Sequence, residues 1–130
     1  MKIKLTHTAG TQFRGLPEAQ TKRMVEGLKA AFTGGLPVDP ILQLPGADGD
    51  IRAHELNRFD PIAVYRVNPS PGDVDVVVIL VLIDHAMVDE FDPSPQLPQL
   101  WGAAAVGREL LRQLHGAFGR AARREPHALG

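Results

Sequence analysis

The run "VDVVVILVLID" at residues 74–84 constrains this chain more than any other stretch. Every residue from Val76 to Ile83 is apolar, so a strand here has no polar side and both of its faces must be shielded from water. The run is far too short to cross a bilayer as a helix, which takes about 20 residues. It reads as a central strand that needs one layer of structure above it and another below.

A chain of 130 residues is of ordinary length for one domain with one core. It contains no cysteine, which removes disulfide frameworks, thiolate zinc sites and cysteine nucleophiles from consideration and suits a reducing compartment. The start, "MKIKLTHTAG", has two lysines and no apolar segment after them, so neither export nor membrane insertion is expected, and a cytoplasmic location is. Charge is uneven. Residues 1–100 hold nine Lys and Arg against thirteen Asp and Glu, whereas residues 101–130 hold five Arg against two Glu. A body this acidic is not built to live by neutralising phosphates.

"KIKLTH" alternates with period two and predicts a strand with Ile3 and Leu5 facing inward. "LPEAQTKRMVEGLKAAFTGG" predicts a helix that starts at Pro17 and ends at Gly34 and Gly35, with Met24, Val25, Leu28, Ala31 and Phe32 on its apolar face. Residues 36–50, rich in proline and glycine, predict an irregular connection pinned by Ile41, Leu42 and Leu44. Two further strands are expected at Ile51–Leu56 and Ile62–Val67, around the turn "NRFDP", and "NPSPGD" at 68–73 predicts another turn. The order implies an α+β fold: an N-terminal strand and helix followed by an antiparallel three-stranded meander, then a C-terminal helical extension. The organisation is a body over 1–92, a proline-rich linker over 93–100, and a helix and tail over 101–130 whose apolar stripe must pack on the body or on a second copy, giving a homodimer.

Three stretches, "FRGLPEAQTKRMVEGLKAAF", "LQLPGADGDIRAHEL" and "IAVYRVNPSPGDVDVVVILVLIDHA", taken in this order, resemble the RelE/ParE superfamily of bacterial toxins from toxin–antitoxin pairs. The resemblance covers about residues 1–92 and implies a cytoplasmic toxin neutralised by a cognate antitoxin protein. In the RelE branch it implies an mRNA endoribonuclease working at the ribosome; in the ParE branch it implies binding to DNA gyrase without RNA hydrolysis. Carried onto this sequence, Arg52 and His54 match the basic pair of the second strand, and His85 matches the residue delivered at the end of the last strand. The arginine of the following strand falls at Ile62, with Arg66 four residues later, and no aromatic residue stands next to His85. For an RNase, Arg52 and Arg66 hold phosphate while His54 and His85 share proton transfer.

Read from the residues alone, Arg52, His54 and Glu55 also suit a solvated strand edge, with Glu55 a partner for Arg58 or Arg66. The non-catalytic alternative is a protein-binding module on the same scaffold, gyrase-directed or serving a regulatory or phage function. His7, His54 and His85 lack metal-ligand spacing, and no glycine-rich loop leads a strand into a helix, so neither metal nor cofactor is expected.

Overall fold

The computed structural model describes residues 2–44, 50–68, 76–92 and 103–119. The elements are β1 (Lys2–Leu5), α1 (His7–Gly15), α2 (Glu18–Phe32), β2 (Ile41–Leu42), β3 (Ile51–His54), β4 (Ile62–Asn68), β5 (Val76–Ile83), α3 (His85–Glu90) and α4 (Ala103–Phe118). They form one sheet in the order β1-β5-β4-β3-β2. The strands β3, β4 and β5 pair antiparallel in sequence order, and β1 lies parallel to β5, so the sheet is mixed. The expected turn at 68–73 and linker at 93–100 fall largely or wholly outside the described residues.

The apolar run is covered as its composition demands. On one face α1 and α2 bring Phe13, Met24, Leu28 and Phe32 against Ala63, Tyr65, Val77, Ile79 and Leu82. On the other, α4 brings Leu110, Leu111, Leu114 and Phe118 toward Ile51, Ala53, Ile62, Val64 and Ile83. Leu114 is fully buried, worth roughly 1.5–3 kcal/mol relative to an exposed leucine. The C-terminal helix therefore completes the core of its own chain.

Four features depart from the expected pattern, the first being the short helix α3 that follows β5 directly. A helix, α1, occupies residues 7–15, between the first strand and the helix starting at Pro17, where the sequence pattern assigned no element. Its glycines and threonines are poor helix formers, but Ala9 and Phe13 are buried, and Thr6 caps it by accepting the Ala9 N–H at 3.1 Å while its hydroxyl donates to Leu80 O. Leu16, held extended before Pro17, separates α1 from α2. A two-residue strand, β2, pairs with β3 inside the proline-rich connection. The fourth difference is in β5, where a register shift pairs Val64 with Val81 and Tyr65 with Ile79, leaving Leu80 unmatched.

Two side-chain amides close sheet edges. Gln12 on α1 donates to Leu82 O and accepts the Leu82 N–H, both at 2.8 Å, just beyond the point where β1 stops. Gln113 on α4 makes the same pair of bonds to the backbone of Gln43, both at 2.7 Å. Each glutamine takes the place of one residue of a neighbouring strand; at Leu82, which is buried, this satisfies a backbone donor and acceptor that would otherwise be orphaned, whereas Gln43 is exposed.

Candidate functional site

Arg52 and His54 project from β3 on one face, as residues two apart must. That face is the one under α2. Arg52 lies across from Tyr65, and the His54 ring sits 5.9 Å from the Phe32 ring, centroid to centroid. His54 Nδ1 meets both carboxylate oxygens of Asp39, at 3.0 and 3.1 Å, and the Tyr65 hydroxyl donates to the same carboxylate at 2.7 Å. Asp39 thus draws the connection after α2 onto the sheet through two strands at once. Burial, and then Asp39 as its hydrogen-bond acceptor, push the Tyr65 hydroxyl pKa up, against the opposing pull of the Arg52 cation. The His54 side chain is 15 % exposed and that of Arg52 20 %, so the pair is largely covered.

The two other expected site residues are elsewhere. Arg66 pairs with Ile51, and Ile51 belongs to the α4 side of the sheet, so Arg66 lies on the face opposite Arg52 and His54 and cannot share a phosphate with Arg52. Its guanidinium donates to Asn68. His85 opens α3, and its Nε2 donates to Asn57 O at 3.1 Å, with Glu55 3.4 Å away. Glu55 therefore neighbours His85, and among the described residues no ion pair joins it to Arg58 or Arg66. Among the described residues no hydrogen bond or ring contact joins His54 to His85, and no group of three or more His, Cys, Asp or Glu side chains is placed to hold a metal ion.

The "NRFDP" turn holds a network that its composition did not announce. Asp60, 1 % exposed, accepts from Arg23, Gln20 and Asn57, while Asn57 Oδ1 accepts the N–H groups of Phe59 and Asp60. The Arg23 guanidinium holds the Asp60 carboxyl down at about 2, against burial, which pushes the other way. Asp39 and Asp60 both precede a proline, but so does Asp92, so the dipeptide alone does not single out the two buried carboxylates.

On α4, Arg112 donates to Glu109, drawing that carboxyl down to about 2, and Arg108 lies 5.1 Å over the Phe91 ring. These two tail arginines are engaged within the chain. Arg120, Arg123 and Arg124 lie outside the described residues.

Comparison with known proteins finds no matching family model, curated protein or solved structure. No helix among the described residues is long and apolar enough to cross a membrane.

Proposed function

We propose that this chain is a toxin-like protein of the RelE/ParE type that acts in the cytoplasm by docking onto a protein target, with a cognate antitoxin as its neutralising partner. The observation that carries the choice of docking over cleavage is the placement of the four polar residues an RNase needs. Arg66 faces away from Arg52, and His54 and His85 are committed to separate hydrogen-bond sets. In-line attack by a ribose hydroxyl requires base, acid and cation around one phosphate. A strand and paired helices leading into an antiparallel run of strands support the family reading, and the acidic body supports a protein target over RNA.

One feature favours the endoribonuclease reading as a second possibility. A carboxylate on Nδ1 orients a histidine as a general base, and His54 Nε2 has no hydrogen-bond partner among the described residues. The readings separate under induced expression in a bacterial host combined with RNA cleavage assays with and without ribosomes and a gyrase supercoiling assay. Docking predicts growth arrest that survives His54→Ala, with no RNA cleaved. RNA cleavage abolished by His54→Ala would overturn docking in favour of hydrolysis.

A further inference from the structure

We infer that the outer edge of β1 is a receptor site for an extended peptide segment that alternates apolar and acidic residues. The inference rests on the docking reading above and names the surface and the chemistry of what binds there. Two stretches of sheet edge are closed from within the chain, by Gln12 at Leu82 and by Gln113 at Gln43. Among the described residues the outer side of β1 has no such closure. Thr6 donates its N–H to Ile79 O, so by strand alternation Lys4 and Lys2 also turn their backbone groups toward β5, and Ile3 and Leu5 turn theirs outward. Among the described residues those outward groups have no hydrogen-bond partner.

Beside this edge lies an apolar groove. A pocket of about 140 Å³ is lined by Ile3, Leu5, Phe13, Val25, Leu28 and Lys29. It shares Ile3 and Lys29 with a neighbouring hollow of about 390 Å³ that reaches Phe32 and Gly34. Leu5 remains 46 % exposed at its mouth. An added strand would place every second side chain on the helix side, over this groove, and the intervening ones beside Lys2 and Lys4 on the other face. Lys29 is the sole charged residue lining these two hollows, so together with Lys2 and Lys4 the described residues of the edge and groove present three cations, while Glu18 and Glu26 lie farther along α2 in an adjoining hollow. Apolar residues at one set of positions and glutamate or aspartate at the other complement it.

A second copy of this chain is the wrong occupant. Twofold pairing of β1 with β1 keeps like faces together and sets lysines against lysines, which is destabilising.

The test uses the full chain, labelled for amide NMR, and a capped eight-residue peptide alternating glutamate with valine or leucine. Binding is expected with half-saturation below about 1 mM, with the largest shifts and new exchange protection at the amides of Ile3 and Leu5. The double variant Lys2→Glu, Lys4→Glu should weaken binding about 10-fold or more, and a peptide with lysine in place of glutamate should prefer that variant to the wild type. Leu5→Pro deletes an outward N–H without touching the ladder to β5 and should also abolish protection. Shifts confined to α4 or β2, equal affinity for both peptides, or no binding at several millimolar peptide would overturn the inference. Growth arrest and gyrase inhibition do not depend on the synthetic peptide, so those outcomes leave the docking reading standing.

Discussion

Replacing Asp60 by asparagine should expose how much of the fold hangs on one carboxylate. The side chain is fully enclosed, whereas its main partner, Arg23, is 57 % exposed along its side chain. A carboxyl lowered from 3.8 to about 2 in the folded state corresponds to roughly 2.5 kcal/mol at neutral pH. Because the arginine is half in water and screened, about 1–2 kcal/mol is the better figure. The asparagine keeps one acceptor oxygen but sets an NH2 group against the donors of Arg23, Gln20 or Asn57, adding about 1 kcal/mol. A total near 2–3 kcal/mol lowers the melting temperature by roughly 6–12 °C for a chain of this size. The sign with pH follows from the lowered pKa: the contribution is complete above the unfolded value and disappears as pH falls through about 2. Thermal unfolding followed by circular dichroism at pH 7, 4 and 2 should show the gap between wild type and variant shrinking toward the acid end. Equal melting temperatures at pH 7, or a gap that stays constant down to pH 2, would refute the role given to the Arg23–Asp60 pair.

Leu114→Ala empties a fully buried position in the α4-side core and should cost about 2–4 kcal/mol in urea unfolding; a loss under about 0.5 kcal/mol would mean that α4 does not seal the sheet. Tyr65→Phe removes the hydroxyl that donates to Asp39 and should cost about 1–2 kcal/mol at pH 7. Since burial raises the Tyr65 pKa, its contribution is complete below the ordinary tyrosine value of 10.0 and declines as pH rises toward the folded value. Wild type and variant should therefore approach each other in strongly alkaline urea titrations, and a constant gap would speak against the bond to Asp39.

Amphipathic periodicity made α2 legible, since Met24, Leu28 and Phe32 are all buried where helical spacing puts them. The two-faced run of β5 announced a covered central strand for the same local reason. Helix α1 escaped notice because its stability is tertiary: Phe13 packs on the sheet and Gln12 reaches Leu82, 70 positions away. The shared side of Arg52 and His54 was readable, since both belong to one strand. The side taken by Arg66 was not, because it depends on the register of β4 against β3, set by the packed turn at 57–61.

By itself the amino-acid order determined which segments are apolar, with what period, and hence that the central strand would need cover on both faces. Tertiary structure alone decided that β1 runs parallel to β5, that Asp39 gathers His54 and Tyr65, and that His85 turns to Asn57. The physical reason is range: periodicity is a property of neighbouring residues, whereas strand order, register and the partner of a buried carboxylate arise from contacts between segments that meet only once the chain has closed.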